Sequence, residues 1–399
     1  MRKTEKLKVM FRGRMVGTLS LTPDNRLNVF EYDKSWLANG FSISPLELPL
    51  KPGVFIAKPQ PFYGNFGVFE DSLPDGYGRY LLHKALLRKG IHDSDLSSLD
   101  RLAIVGDNGM GALTYTPEIK LEHEEPVTDF DRLQKIALEV LKELQDNDAG
   151  LLLFNSGNSG GARPKAIFSD SEGHWIIKFR HIYDPADMGI QEYRYNEIAR
   201  KCGIIVPDFR LVNGRYFASR RFDIDSDGKR LHTATAGGLL CISLREPFLD
   251  YSNLLALTGY VTQSREDVEQ MYRRMLFNYL TDNKDDHCKN FSFYVVRDSY
   301  TGLALAVATG LRPHALHRRI QWRTCNIRQW HRPSRIIRLY HSWHKNQAAR
   351  DPMPRAHRGS PFRLHWVNSL RHYAVMVFPC LCSMVTAHFP QVNCYAALG

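Results

Sequence analysis

The sequence predicts an α+β protein with a small N-terminal α+β domain (residues 1–117), a larger core (residues 118–303) and an aberrant C-terminal tail (residues 304–399). Strand and helix patterns alternate through the first 303 residues, and the composition changes abruptly after them. The chain is 43% hydrophobic, which suffices for two or three packed domains. No run approaches the roughly 18 consecutive apolar residues of a membrane helix, so we expect no membrane association.

The N-terminal domain is predicted from a hairpin, a further strand and a helix. Apolar residues alternate on both sides of Arg12-Gly13-Arg14, which predicts a hairpin over residues 7–21, and another strand follows at residues 27–32. Apolar side chains recur at helical spacing between residues 75 and 90 and end on a glycine, which predicts a helix. An amphipathic helix over residues 129–144 then opens the core.

A glycine-rich stretch, residues 155–162, precedes a predicted strand pair and a helix over residues 191–202. Its backbone N–H groups could bind phosphate, although such loops are more often plain turns. Lys178 lies between two apolar residues of the second strand. A buried lysine needs an anionic partner, for which Glu192 on the helix is suited, whereas an edge-strand lysine would reach solvent. A phosphate loop, a lysine and a glutamate in this order match the ATP-holding lobe of a protein kinase.

The polar loop between a predicted helix, residues 264–280, and the next strand carries Asp285 and Asn290. A kinase needs a carboxylate to accept the substrate hydroxyl proton and, a few residues later, an amide oxygen for Mg²⁺. Alone, this spacing is more typical of a solvated polar loop. A zinc site through His287 and Cys288 lacks further ligands at suitable spacing in the first 303 residues.

Read together, these signals resemble one family, the HipA-type serine/threonine kinase toxins of bacterial toxin–antitoxin systems, over about residues 7–300. The N-terminal motifs are Val16-Gly17, Phe30-Glu-Tyr-Asp33, Trp36-Leu37, Leu48-Pro49, Phe69-Glu-Asp-Ser-Leu-Pro74-Asp75-Gly76 and Gly109-Met-Gly-Ala112. The core motifs are Ser159-Gly-Gly-Ala-Arg-Pro-Lys165, Trp175-Ile-Ile-Lys178, Glu192-Tyr193, Gly203-Ile-Ile-Val-Pro207, Arg221-Phe-Asp223 and Asp285-Asp-His-Cys-Lys-Asn-Phe291. The resemblance implies a two-lobed, protein-kinase-like core, truncated here.

The resemblance also implies a role for each site residue, with ATP and Mg²⁺ as cofactors. The nucleotide loop would comprise Ser159, Gly160, Gly161, Ala162, Arg163 and Lys165. Lys178 would hold the ATP phosphates, oriented by Glu192, and the backbone around Arg220 and Phe222 would contact adenine. Asp285 would be the catalytic base and Asn290 a Mg²⁺ ligand.

The partners implied by the resemblance are a DNA-binding antitoxin, DNA only through that antitoxin, and a protein substrate such as an aminoacyl-tRNA synthetase, with growth arrest and persistence as the outcome. Seven scattered cysteines and no signal-like N-terminus predict a cytoplasmic protein. A non-catalytic module that binds antitoxin and operator as a co-repressor is the alternative.

Two positions depart from the family pattern. The serine that the family autophosphorylates falls at Asn158, flanked by Ser156 and Ser159, so self-inactivation is expected to shift or disappear. The family also carries a second metal-binding aspartate about twenty residues after the asparagine, in a Pro-Ala-Tyr-Asp-Leu-Thr-Pro-Ser-like stretch. The only acid after Asp298 is Asp351. We therefore expect little phosphoryl transfer.

The tail has an unusual composition: thirteen Arg, one Lys, nine His, four Trp, four Cys and a single acid give it a charge of +13, against −2 for the first 303 residues. A basic tail could bind nucleic acid. However, codons chosen for Val307–Leu316 can be read in a shifted frame as Trp-Arg-Pro-Ala-Tyr-Asp-Leu-Thr-Pro-Ser, the missing family stretch. Trp322–Asn326 can likewise read Gly-Glu-His-Ala-Thr. We therefore hypothesise a frameshift between about codons 303 and 307, which predicts a tail without a coherent apolar face.

Overall fold

The computed structural model describes residues 3–120, 128–143, 149–156, 161, 163–244, 249–281, 283, 285–296 and 299–300. The predicted tail and the glycine-rich residues 157–160 and 162 lie outside the described residues. The chain divides into two compact units. The first comprises Met1–Arg194, Pro207–Arg245 and Cys288–Ala306, and the second includes Tyr195–Val206 and Glu246–His287. The domain limits at residues 117 and 303 stay a prediction.

The first unit begins with a five-stranded antiparallel sheet of order β4-β3-β2-β1-β5. Its strands are β1 (Lys6–Phe11), β2 (Arg14–Leu21), β3 (Asn28–Tyr32), β4 (Val54–Ile56) and β5 (Leu113–Thr116). The predicted hairpin is therefore confirmed, and both of its turn residues, Arg12 and Gly13, have positive φ angles, as a tight hairpin turn requires. The predicted strand at residues 27–32 corresponds to β3.

One face of this sheet packs against short helices and forms an apolar core. Leu7, Val9, Val16, Leu19 and Phe30 alternate along the strands and are fully buried. The helices that contact this sheet are α1 (Lys34–Asn39), α2 (Gly67–Glu70) and α4 (Ser98–Val105), and α3 (Gly76–Arg88) lies between α2 and α4 in the chain. The helix predicted over residues 75–90 is α3, which stops before Gly90 because that residue takes a left-handed conformation.

A second antiparallel sheet has the order β6-β7-β9-β8. It consists of β6 (Lys165–Asp170), β7 (Gly173–Lys178), β8 (Phe209–Val212) and β9 (Tyr216–Arg220), with α5 (Phe130–Leu141), α6 (Ala149–Ser156) and α7 (Met188–Lys201) nearby in the chain. The core of this region includes Leu133 and Val140 of α5, Trp175 and Ile177 of β7, and Leu81 of α3. The amphipathic helix and the strand pair predicted here are confirmed.

A third sheet, of order β10-β11-β12, completes the first unit. It contains β10 (Thr233–Thr235), β11 (Ser292–Val296) and β12 (Ser299–Tyr300), and α8 (Ala236–Leu240) follows β10. A 3₁₀ turn, Cys288–Asn290, leads directly into β11. The polar loop thus ends at a strand, as the sequence predicts.

The second unit contains α9 (Tyr251–Thr262) and α10 (Arg265–Leu280), which pack against each other. Ser264 caps α10 by accepting a hydrogen bond from the Asp267 N–H, so the helix predicted to open at that serine is confirmed. Within the described part of the chain, no helix has the length and apolarity needed to cross a membrane.

Candidate functional site

Lys178, at the end of β7, forms a buried ion pair with Glu192 of α7. The Lys178 Nζ lies 3.2 Å from Glu192 Oε2, and the two side chains are 10% and 4% exposed. Because β7 is flanked by β6 and β9, Lys178 is not on an edge strand, and the possibility that it reaches bulk solvent is wrong. Its ammonium also lies 5.1 Å from the centre of the Phe217 ring. The contact predicted from the order of strand lysine and helix glutamate is confirmed.

Arg163 adds a second cation on the other side of Glu192. Its guanidinium donates two hydrogen bonds to Asp184, at 2.8 and 3.0 Å, and lies 3.6 Å from Glu192 Oε1. The pair with Asp184 is the bidentate geometry that makes arginine–carboxylate contacts strong. Asp184 also accepts a hydrogen bond from the His181 N–H, which fixes its orientation. Glu192 is therefore shared by Lys178 and Arg163.

Lys165 brings a third cation to the same place. It starts β6 and lies directly opposite Lys178 in the antiparallel register. Like charges in directly opposed positions destabilise a sheet unless anions lie close to them. The pKa of Lys165 is lowered to about 8, chiefly by burial and also by the nearby Lys178 and Arg163, while Asp75 and Glu192 act in the opposite direction. Three mostly buried cations are therefore close together here, with Glu192, Asp184 and Asp75 as the acids beside them.

Gly161 is a glycine of the predicted nucleotide loop that the structure describes, whereas Ser159, Gly160 and Ala162 lie outside the described residues. Its φ of +101° suits glycine, and a Cβ added there would stand 2.9 Å from Lys165 Nζ. A larger residue at this position would therefore require the Lys165 side chain to shift. Ser156, one of the two serines that flank Asn158, is buried at the end of α6, and its hydroxyl donates to the Leu153 carbonyl.

The predicted adenine-contacting residues lie at the end of β9. Arg220 pairs with Trp175 of β7 in register and lies 3.5 Å from Asp208, while Phe222 is half-buried just beyond the strand. The neighbouring Arg221 and Asp223 form a bidentate pair, and Asp223 also accepts a hydrogen bond from the Gly111 N–H at 2.9 Å. The Arg-Phe-Asp motif therefore anchors the chain next to the predicted adenine position, whose role stays a prediction.

The polar loop holds its two aspartates in contrasting environments. Asp286 is buried and accepts a hydrogen bond from the Tyr251 hydroxyl at 2.8 Å, whereas the Asp285 side chain is 49% exposed and lies 3.6 Å from His287 Nε2. The Asp285 N–H donates to Asn283 Oδ1. Asp286 thus anchors the loop, which leaves the Asp285 carboxylate accessible.

Asp285 belongs to the second unit, whereas Lys178, Glu192 and Asn290 belong to the first. A single cleft shared by Asp285, Asn290 and the glycine-rich loop therefore stays a prediction. Three charged residues of the first unit have no role predicted from the sequence. Asp75 contacts Gly161, Asp184 contacts Arg163, and Lys289 contacts Asp75. Asp75 and Lys289 lie within matched motifs, which was the available signal.

The residues present fit a polyphosphate. Arg163, Lys165 and Lys178 are mostly buried and lie around Glu192, so they could hold the phosphates of ATP. The described residues include no group of three His, Cys, Asp or Glu side chains arranged for a metal, and a Mg²⁺ ion bound with ATP needs only one or two protein ligands. Asn290 would be its principal ligand from the first unit.

The fold defines the class of protein: a mixed α/β protein whose fold matches the kinase-like fold of HipA. Family models for the HipA N-terminal domain and the HipA-like C-terminal domain match residues 7–116 and 157–309. The two matches span about two-thirds of the sequence, and the chain belongs to the HipA family. The predicted resemblance and fold class are confirmed.

A solved structure from Shewanella oneidensis MR-1 has a similar fold. It is described as the HipA and HipB proteins of a toxin–antitoxin system in complex with operator DNA. The similarity covers 96% of this chain and 97% of that one, with a TM-score of 0.56 and 18% sequence identity. No match was found among curated proteins.

Proposed function

We propose that this chain derives from an ATP- and Mg²⁺-dependent protein serine/threonine kinase that acts as the toxin of a toxin–antitoxin pair. The observation that carries the proposal is the buried Lys178–Glu192 ion pair, 3.2 Å long, between a strand and a helix. In protein kinases a pair of this kind must form before the lysine can hold the nucleotide phosphates. Arg163 and Lys165 add positive charge beside it.

Each residue would then have a distinct task. Lys178 would bind the phosphates and Glu192 would hold Lys178 in position, while Arg163 and Lys165 would bind further phosphate oxygens. The exposed Asp285 carboxylate would accept the proton of the substrate hydroxyl as it attacks, and Arg220 and Phe222 would border the adenine. Bound at Asn290, Mg²⁺ would neutralise phosphate charge.

The frameshift hypothesis implies that the 399-residue product transfers phosphate poorly. Residues 304–399 supply no acid before Asp351, so the second metal aspartate of the family is absent. The family match ends at residue 309, near the proposed shift. Loss of a major transition-state charge contact costs about 3 kcal/mol, roughly a hundredfold in rate. We therefore propose an inactive or nearly inactive kinase.

The proposed partners follow from the family and from the solved complex. A HipB-like antitoxin would bind this chain and bring it to operator DNA, and a restored kinase would phosphorylate a cytoplasmic protein, such as an aminoacyl-tRNA synthetase, to cause growth arrest and persistence. We also propose the domain limits predicted from the sequence, residues 1–117 for the N-terminal domain and 118–303 for the kinase core.

A phosphotransfer assay tests the kinase proposal. The 399-residue chain and a version restored to the other frame after about codon 306 are incubated with radiolabelled ATP and a cell lysate. We expect labelling only with the restored version, and Asp285→Asn should abolish it, whereas Asp227→Asn, in an exposed turn, should not. Robust labelling by the unrestored chain would refute the frameshift hypothesis, and no labelling by either would refute the kinase.

A non-catalytic role is the second candidate, and the absent aspartate favours it for the chain as it stands. The chain would bind the antitoxin–operator complex and act as a co-repressor. An electrophoretic mobility assay with purified antitoxin and operator DNA should then show a supershift at the same concentration of either version. A supershift with the restored version alone would exclude this role for the 399-residue chain.

A further inference from the structure

The aspartate at the start of α3 does not cap its own helix. Asp75 occupies the N-cap position of α3 but makes no side-chain hydrogen bond to the first turn. Aspartate is favoured at this position because its carboxylate accepts a backbone N–H of the first turn, which stabilises a helix by about 1 kcal/mol. The Asp75 carboxylate does not make that contact and instead binds Gly161 and Lys289.

Both backbone polar groups of Gly161 are hydrogen-bonded to the start of α3, through the Asp75 side chain and the Tyr77 N–H. The Gly161 N–H donates to Asp75 Oδ1 at 2.5 Å, and the Tyr77 N–H donates to the Gly161 carbonyl at 3.2 Å. A glycine with both groups bound to the same helix start has little freedom to move relative to it. The N-terminal part of the chain therefore fixes a point of the predicted nucleotide loop.

The same carboxylate contacts the segment that carries Asn290. Lys289 Nζ lies 3.4 Å from Asp75 Oδ2, and both side chains are largely buried. Burial raises the pKa of Asp75, but Lys289, the Gly161 N–H and Lys165 together outweigh burial and hold the pKa below its ordinary value. Asp75 is therefore an ionised carboxylate that bridges Gly161 and Lys289.

We propose that Asp75 is a positioning residue of the nucleotide site, contributed by the N-terminal part of the chain. Its carboxylate fixes Gly161, and hence the start of the segment that carries Arg163 and Lys165, and through Lys289 it fixes the turn that presents Asn290. Asp75 itself touches neither ATP nor substrate. This inference deepens the kinase proposal and rests on it.

The test uses the full 399-residue chain and three variants. Asp75→Ala removes both contacts, and Asp75→Asn keeps an oxygen acceptor for Gly161 but loses the charge that attracts Lys289. Asp71→Asn is the matched control, because Asp71 is a half-buried carboxylate near Lys289 that accepts its hydrogen bonds from Thr235 rather than from Gly161. The readouts are amide hydrogen exchange of peptides containing Gly161 and the dissociation constant of a fluorescent ATP analogue.

We expect Asp75→Ala to accelerate exchange at Gly161 at least tenfold and to weaken binding of the analogue at least tenfold. Asp75→Asn should accelerate exchange about threefold and weaken binding by an intermediate factor. Asp71→Asn should leave Gly161 exchange within twofold of the unmodified chain. A merely structural role would instead change exchange throughout the first unit.

Unchanged Gly161 exchange in both Asp75 variants, or equal acceleration by Asp71→Asn, would overturn the inference. If Asp75→Ala does not fold, Asp75→Asn decides by the same criterion. If the unmodified chain does not bind the analogue, nucleotide binding by the 399-residue chain is refuted, while the exchange result still decides whether Asp75 positions Gly161.

Discussion

Two lysines of the first unit are mostly buried beside acids, yet the charges around them differ. Lys178 pairs with Glu192, which Arg163 shares while it also pairs with Asp184. Lys165 lies directly opposite Lys178 in the sheet and is attracted by Asp75. Lys289 pairs with Asp75 and is also attracted by Asp71 and Glu70. The first group thus brings three cations together with their acids, whereas the second sets Lys289 among three acids.

Removal of Glu192 should have the largest effect, because two buried cations depend on it. Glu192→Gln keeps the shape but leaves Lys178 and Arg163 without their shared anion, and loss of one partner of a buried pair typically costs about 3–5 kcal/mol. We expect a loss of this size in the free energy of unfolding, measured by urea denaturation followed by circular dichroism. Glu269→Gln, in the more exposed pair with Arg265, should cost less than about 1 kcal/mol. Equal losses would show that burial does not distinguish the pairs.

Asp71, one of the acids around Lys289, should make the free energy of unfolding fall as the pH rises, the opposite of the effect of a salt-bridged aspartate. Burial raises the pKa of Asp71 to about 6, against the attraction of Lys289. The folded state therefore retains a proton that the unfolded state has already lost, and this contribution to stability disappears as the pH rises from about 4 to 6. Asp71→Asn should gain on the order of 2–3 kcal/mol relative to the unmodified chain between pH 4 and pH 7, in denaturation series at each pH.

A pH-independent difference between Asp71→Asn and the unmodified chain would contradict the raised pKa of Asp71. Asp100→Asn provides the reference, because burial raises the pKa of Asp100 but hydrogen bonds from Ser97 and Thr4 outweigh it and hold the pKa below its ordinary value. Its pH dependence should have the opposite sign, since a lowered carboxyl pKa contributes stability that is lost on acidification.

Lys165, in the group around Lys178, should cause a smaller change in the free energy of unfolding, and at alkaline pH. With the pKa of Lys165 lowered to about 8 by burial, the folded state loses this proton before the unfolded state does, so stability rises as the pH passes 8. Relative to Lys165→Met, the unmodified chain should gain about 1 kcal/mol between pH 7 and pH 9. Tripolyphosphate should raise the melting temperature of the unmodified chain, and clearly less that of Lys165→Met. An equal rise in both would place the anion elsewhere.

The smallest effect should come from Glu70, which belongs to the same acidic motif as Asp71 and Asp75. Its carboxylate lies 3.5 Å from Arg79, whose side chain is 45% exposed. Exposed pairs of this kind contribute about 0–1 kcal/mol. Glu70→Gln should therefore change the free energy of unfolding by less than about 1 kcal/mol in the same urea titration. A loss as large as that of Glu192→Gln would mean that Glu70 is needed to neutralise Lys289.

The sequence by itself determined the hairpin, the strand pair around Lys178 and the pairing of that lysine with Glu192. These depend on local alternation, turn residues and helical spacing, and Lys178 and Glu192 lie on neighbouring elements of the chain. The sequence also marked the change in composition after residue 303. Each of these signals can be read within a short stretch of residues.

Only the tertiary structure decided that Asp75 would leave its own helix uncapped and bind Gly161 and Lys289 instead. An aspartate at a helix start usually caps its own helix, and the local sequence contains nothing about residues far along the chain that could bind it instead. The register that sets Lys165 opposite Lys178 was equally hidden, since pairing between strands depends on the turn that joins them. Charges that are distant in sequence shift each other's pKa values strongly only when packing brings them together and removes the water between them. That packing is a property of the folded chain.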